Sequence, residues 1–509
     1  MSPYEVLPPS TGGSCLAAIQ ALLPEFSVSS NGFLPEQTPL ERLHDPYYAS
    51  WECLMQNLPS YLEVRTLRDH IDRLPTLSLD HLKTEAEQRR AYLILTFFVH
   101  AYVWGGDVPA EVLPPSVSIP LLQVSDALGL PPVATFASLN LWNFTTTNES
   151  FDFTDVDSLQ AQHTFTGTQD ESWFYMVSVA IEAQGAYIIP ILLQGLDSLQ
   201  QLYPINSHSP EISPEEQSHV LAAATNALND LTACIAKLGK LLERMYHKCD
   251  PNVFYHRIRP FLAGSKNMAA AGLPRGVFYD QGNGRGEWQQ LRGGSNGQSS
   301  LIQFLDIALG VEHSSSGNSD PEGPDAADSF PDEHNGLSEK TKSFHQEVRG
   351  YMPRKHREFL EYVTQLGGGG GFRSAIGQLL AHNSGASAEP ELADLKRAFR
   401  TATKALAEFR NKHLQLVTRY IVIPSRQHQQ RLQQEKDGHG QSQEANKGSV
   451  VNLANATLSA TIPRDGGVKP EATHHAELTG TGGTALLPFL KQSRDETFQA
   501  GEMSTFGAN

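Results

Sequence analysis

Residues 391–421 read ELADLKRAFRTATKALAEFRNKHLQLVTRYI, and their spacing decides the fold. Leu392, Leu395, Phe399, Ala402, Leu406, Phe409, His413, Leu416 and Tyr420 recur at intervals of three and four, the period of one face of an α-helix. The spacing does not break at His413, so an imidazole takes a core position on a face otherwise made of carbon. Burying it costs free energy unless its ring nitrogens are satisfied. Two kinds of partner suffice: a hydrogen bond inside the core, or a metal or haem iron that takes neutral imidazole as a ligand. No second His or Cys stands four residues on, and no H-E-x-x-H string occurs, so a zinc site on this helix lacks its other ligands. A haem iron needs only one axial histidine.

Outward from this helix the dominant period stays helical. Ser213 followed by Pro214, Glu215 and Glu216 is a start signal, and Leu221, Ala224, Leu228, Leu231, Ile235, Leu238, Leu242 and Met245 form the stripe behind it. That helix is predicted to run to about Cys249 and to stop before Pro251, because the residue ahead of proline avoids helical angles. Residues 172–202 and 87–104 are apolar on most sides and read as buried helices, the first kinked or interrupted at Pro190. Alternating strands are scarce. The expected fold class is therefore mainly α, with a smaller, mostly helical N-terminal domain over residues 1–130 and a large helical domain over 131–424.

Three stretches read as loops. Residues 314–342 are acidic and rich in Gly, Ser and Pro, with too few apolar side chains to offset ordering entropy. The glycine run at 367–371 reads as a hinge between helices. Residues 425–475 are Gln-, Gly- and Ser-rich and read as a mobile insertion, followed by a loop and C-terminal helix at 476–492 and a tail at 493–509.

The formal net charge of −17, with no Lys/Arg-dense stripe to offset it, excludes a phosphate backbone as the expected partner, so no nucleic acid is predicted. Cys15, Cys53, Cys234 and Cys249 lie far apart without a C-x-x-C pair, which argues against a disulfide framework and for a reducing compartment. No run approaches the roughly 20 apolar residues that span a bilayer, and the first residues carry no basic stretch ahead of an apolar core. The chain is read as cytoplasmic, without a membrane segment. Gly282-Asn283-Gly284-Arg285-Gly286 is not a dinucleotide fingerprint, since it is expected to follow no hydrophobic strand and to open no helix. Gly480-Thr481-Gly482-Gly483-Thr484 lacks the G-K-[ST] ending of a phosphate cradle.

The residues around His413, Phe409-Arg410-Asn411-Lys412-His413-Leu414-Gln415-Leu416-Val417-Thr418-Arg419-Tyr420-Ile421, resemble the proximal haem helix of indoleamine 2,3-dioxygenases. Further blocks agree in order along the chain: Gly32-Phe33-Leu34-Pro35, Ala101-Tyr102-Val103-Trp104-Gly105, Leu130-Pro131-Pro132, Trp173 to Ser178, Phe254 to Gly264, Gly293 to Ser300, Tyr351-Met352-Pro353 and Gly480 to Thr484. The resemblance covers nearly everything from Gly32 to Leu490 apart from the linkers, and its long loop-like insertion suits a fungal-type member.

What the resemblance implies is specific. One haem b per chain sits in the large domain, with His413 as the proximal ligand of the iron and the small domain covering the distal side. Arg410 pairs with Asp306 and supports the ligand helix. Phe174, Ser178 and Phe254 line the distal pocket, and Arg259 binds the substrate carboxylate through two parallel hydrogen bonds, with Arg257 its nearest competitor. Gly294 and Ser295 belong to a loop along the haem edge, and Thr481 to a mobile loop that closes over the substrate. Tyr175, Phe136, Leu139 and Asn140 depart from the familiar vertebrate pattern. The implied reaction opens the indole C2–C3 bond of L-tryptophan with O2 to give N-formylkynurenine, with no side chain acting as acid or base and an external reductant keeping the iron ferrous. This is the first step of the kynurenine pathway towards NAD biosynthesis, and the chain is expected to act as a monomer. Two other outcomes stay open: a divergent paralogue with weak tryptophan activity, and a haem-binding sensor without turnover.

Overall fold

The computed structural model describes residues 13–149, 151–202, 213–314, 344–382, 389–438 and 486–502. Among them the helices of ten residues or more are α1 (Gly13–Leu22), α2 (Glu85–Trp104), α3 (Pro115–Leu128), α4 (Gln169–Gln184), α5 (Ile188–Gln201), α6 (Pro214–Glu243), α7 (Ser300–Leu309), α8 (Arg354–Leu366), α9 (Gly371–His382), α10 (Glu389–Val417), α11 (Ile423–Gly438) and α12 (Leu486–Ala500). The strands are short: β1 (Val112–Leu113), β2 (Phe144–Thr146), β3 (Leu159–Ala161), β4 (Val277–Gly282) and β5 (Arg285–Gln289). The mainly α reading holds.

The two longest helices, α6 and α10, lie against each other along the stripes read from sequence. Leu228, Leu231 and Leu238 of α6 and Leu395, Phe399 and Ala402 of α10 are fully buried. Ser213 caps α6 by accepting a 3.2 Å hydrogen bond from the Glu216 amide, with Pro214 at the first helical position. The helix ends at Glu243 and one further turn, Met245–Lys248, precedes Asp250, whose carboxylate accepts from the amides of Asn252 and Val253. α5 and α4 cover α6, α9 and α12 flank α10, and α7 packs on α8 and α9.

α4 and α5 are separated at residues 185–187 rather than at Pro190, which sits in the first turn of α5, where its missing N–H costs nothing. No single described helix is long and apolar enough to cross a membrane. The bent pair α4 and α5 passes that test only when joined, and both are packed against α6. α2 opens with a capping box, in which Thr84 Oγ1 accepts from the Glu87 amide and the Glu87 carboxylate accepts from the Thr84 amide. Its residues from Arg90 to Ala101 are all buried, and the buried apolar side chains on both sides of residue 130 join in one continuous cluster.

Several expectations are corrected. Residues 425–438, read as the start of a mobile insertion, continue as helix α11. Residues 493–500, read as tail, belong to α12 and bury Ser493, Thr497 and Ala500 against the body of the protein. The segment around Asn283-Gly284 does follow a strand, but it turns the β4–β5 hairpin with both residues at positive φ (56° and 73°), so it opens no helix. β1 joins β4 in parallel. The glycine run separates α8 from α9 as expected. A side chain on Gly371 (φ 54°) would collide with the carbonyls that end α7. Residues 315–342, 439–475 and the Gly480–Thr484 segment with Thr481 lie outside the described residues.

Candidate active site

His413 lies on the buried stripe of α10, half-buried itself, between half-buried Phe409 and buried Leu416. Desolvation, with a smaller contribution from the Arg410 charge, depresses its pKa to about 4, so the ring is neutral at physiological pH and carries a free lone pair. Among the described residues nothing hydrogen-bonds to that ring. His100 and His356 show the alternative. Both are buried, with His100 Nδ1 2.6 Å from the Phe261 carbonyl and its Nε2 accepting from the Ala134 amide, and His356 Nδ1 3.0 Å from Ser300 Oγ. A neutral, partner-free imidazole that keeps accessible surface on a carbon face is what an axial iron ligand requires, so the residues fit the group that the sequence implied.

One turn earlier, Arg410 gives Nη2 to both oxygens of Asp306 at 2.8 and 2.7 Å and Nη1 to Thr497 Oγ1. Little of either side chain is exposed, so this is an internal ion pair rather than a surface one. Burial alone would raise the Asp306 pKa, but Arg410 and then His313 hold it well below the usual carboxylate range. Asp306, His313 and His345 bring possible metal-ligating atoms within 4.8 Å of one another. Both His313 nitrogens and both Asp306 oxygens are already engaged, so the cluster is read as a charge network.

The aromatic and hydroxyl candidates lie on and beside α4, linked to α10's continuation through Phe254 and Tyr420. Thr168 caps it, accepting from the Glu171 amide, and residues 174, 178 and 182 fall on one stripe at intervals of four. Phe174 is half-buried within a helix otherwise nearly all buried, and its ring meets Phe254 at 5.0 Å between centroids and 62°. Phe254 in turn stands edge-on to Tyr420 at 5.7 Å, and the Tyr420 hydroxyl lies 2.9 Å from the carbonyls of Met245 and Cys249. Ser178 is buried on the same stripe. Glu182, one turn on, accepts from Ser299 Oγ at 2.5 Å, and burial pushes its pKa up to about 7.

Tyr175 points elsewhere. Its hydroxyl donates to Glu171 Oε1 at 2.8 Å, joining the amides of Phe165 and Thr166 on that buried carboxyl. Arg259 and Arg257 are separated by burial: Arg259 is enclosed, its guanidinium 5.7 Å from the Tyr255 ring centre and its pKa lowered by desolvation, whereas Arg257 is exposed. Of the two, Arg259 is the one turned into the protein.

The loop at Gly293–Ser295 has a reason of its own. A side chain on Gly293 would collide with the backbone of Leu262 and Gly264, one on Gly294 with Leu139, and Ser295 Oγ accepts from the Gly297 amide. Gly293 is thus required by a backbone crossing, and Gly294 by the Leu139 side chain packed on it, whatever else passes beside them. Gln298 bridges this crossing to the pocket stretch, donating to the Gly293 carbonyl and accepting from the Phe136 amide, both at 2.9 Å. Sequence reading passed over Gln298. It also passed over three π-helical turns, Ala137–Leu141, Phe254–Ile258 and Thr418–Val422, the first two of which pack on α4 while the last two touch each other. Such turns re-aim side chains and cluster at functional sites. The first holds Leu139 and Asn140, both buried, and Asn140 Oδ1 has no hydrogen-bond partner among the described residues.

A mainly helical frame carries a partner-free imidazole on α10 and an aromatic pair between α4 and the Phe254–Ile258 turn, and comparison places this frame among oxidoreductases. A model of the indoleamine 2,3-dioxygenase family matches residues 22–500, and the chain belongs to that family. It is 36% identical over 496 residues to the indoleamine 2,3-dioxygenase of Saccharomyces cerevisiae, covering 96% of this chain and 95% of the relative. Indoleamine 2,3-dioxygenase nanC of Aspergillus nanangensis is 34% identical over 497 residues, 95% of this chain and 98% of the relative. A protein named 6-hydroxytryptophan 2,3-dioxygenase fscD, from Fusarium equiseti, is 33% identical over 479 residues, 92% and 95%.

Proposed function

We propose that the chain is a haem-dependent dioxygenase that opens the indole C2–C3 bond of L-tryptophan, both atoms of O2 entering N-formylkynurenine. The observation that carries this reading is the His413 ring, neutral and without a hydrogen-bond partner among the described residues. His413 would hold the iron of haem b, and the bound group supplies the reducible iron at which dioxygen is activated.

The chain's own residues bind and orient. Phe174 and Phe254 offer flat apolar surface to the indole, and Arg259 offers a planar pair of N–H donors to the substrate carboxylate. A buried guanidinium is strengthened as an anion partner because little water competes for it. The Ser178 hydroxyl, one turn from Phe174, would hydrogen-bond to a ligand on that face, and the Arg410–Asp306 pair would fix the turn that precedes His413. No side chain is assigned proton transfer, so catalysis rests on orientation and exclusion of water. An external reductant, a cytoplasmic setting, a single-chain enzyme and entry into the kynurenine pathway complete the proposal.

Purification with haem, followed by assay for N-formylkynurenine from L-tryptophan under reducing conditions, tests it directly. A His413→Ala variant that keeps native haem bands would overturn it. The relative named for 6-hydroxytryptophan favours including hydroxylated tryptophans in the same assay.

A further inference from the structure

The carboxylate that holds Arg410 is shared. His313 Nε2 lies 3.2 Å from Asp306 Oδ2, and His313 Nδ1 lies 2.8 Å from Glu496 Oε2. Ionised carboxylates only accept hydrogen bonds, so an imidazole with one at each nitrogen carries both protons and is a cation. Glu496 is anchored in turn by Gln492 Nε2 at 2.8 Å and by the Ser314 amide and hydroxyl, while Thr497, the next residue of α12, accepts from Arg410. His345 stacks on His313, ring centres 3.9 Å apart and 19° between planes, and its Nε2 lies 3.2 Å from Ser493 Oγ. Burial and the neighbouring His313 charge keep His345 neutral at physiological pH, and Arg349, which also faces Asp306, is hydrogen-bonded to Gln303.

Asp306, Glu496, Arg410 and His313 therefore sum to zero charge within a mostly buried cluster that ties α7, α10 and α12 together. Loss of one member changes the charge of the cluster around Arg410 by one unit, and Arg410 stands a single helical turn before His413 on α10. We propose that His313 and Glu496 are positioning residues of the reaction centre, which complete the neutral cage around Arg410 and so set the electrostatic potential at the iron-binding face of α10. The proposal rests on the reading of His413 as the haem ligand. It extends the support of that ligand to two residues that sequence reading did not select.

The test compares wild type, His313→Gln, Glu496→Gln and the double variant, each purified with haem. Reduction adds an electron at the iron, so a nearby positive charge favours it and a negative charge opposes it. His313→Gln is expected to lower the reduction potential, Glu496→Gln to raise it, and the double variant to return towards wild type because neutrality is restored. A packing role alone moves both single variants in the same direction or not at all, with the double variant the worst of the three, and that pattern overturns the proposal. In haem-free protein the two substitutions should also be coupled, the double variant losing less urea resistance than the sum of the singles. Additive losses overturn it as well. Wild-type protein that takes up no haem removes the ligand reading itself, whereas haem uptake with unmoved potentials removes this proposal alone.

Discussion

Arg410 and His413 stand one turn apart on α10, yet Arg410 is bonded to Asp306 and Thr497, while the His413 ring has no hydrogen-bond partner among the described residues. The same contrast separates the regions they belong to. On the Arg410 side, Asp306, His313, Glu496, Ser493 and Thr497 satisfy one another in a closed set. On α4 and the Phe254–Ile258 turn the side chains are aromatic rings, a small hydroxyl and a buried guanidinium, and the His413 ring keeps its nitrogens to spare. Saturated polar groups hold structure, because breaking one leaves a buried partner exposed to low dielectric. Groups left unsatisfied in the folded chain cost stability and reserve their bonding capacity for a ligand.

This division is broken or sharpened by substitution. The largest effect is expected from Arg410→Ala, which takes from Asp306 its two-bonded cation and leaves His313 and the more distant Arg349. Breaking a buried ion pair costs about 3–5 kcal/mol, and urea unfolding of the haem-free protein should show a loss near the lower end. His413→Ala should do the opposite, changing haem-free stability by less than about 1 kcal/mol. Haem affinity, measured by titration, should fall by more than the roughly 10–100-fold that loss of an outer partner costs. Arg259→Ala should raise the KM for tryptophan by on the order of 10–100-fold, since a hydrogen bond to a charged group contributes about 1.5–3 kcal/mol. Its haem spectrum should be unchanged. The smallest effect belongs to Tyr175→Phe. Despite its place beside Phe174, it should cost about 1 kcal/mol of stability, through the lost bond to Glu171, and leave KM unchanged. A KM shift in that variant would move Tyr175 from the scaffold side to the ligand side.

The sequence displayed the regular parts of this arrangement and hid the irregular ones. The stripes of α6 and α10 were legible because each buries one face at the helical period, and Ser213 marked the start of α6. α11 was not, since QHQQRLQQEK shows no continuous apolar stripe and looks like a linker by composition. The π-helical turns escaped because one extra residue in a turn leaves no signature in spacing. The Arg410–Asp306 pair came only from family resemblance, and its extension to His313 and Glu496 joins residues 183 positions apart, for which local pattern carries no signal. At Gly293 the residue type was rightly singled out but its cause was not, because the backbone that crosses it belongs to Leu262 and Gly264. The preference for Arg259 over Arg257 came from the family resemblance, while their difference in burial is a property of the fold that two arginines two residues apart cannot reveal by themselves.

The placement of α12 has a consequence in time. Translation delivers α10 well before residues 486–500, and at about 5–20 residues per second the intervening chain takes seconds to make. During that interval Arg410 has neither Thr497 nor the Glu496-braced imidazole at its side, so the helix that presents His413 is not yet clamped. A nascent chain stalled before α12 should therefore hold the turn that precedes His413 less firmly and bind added haem more weakly than the full chain.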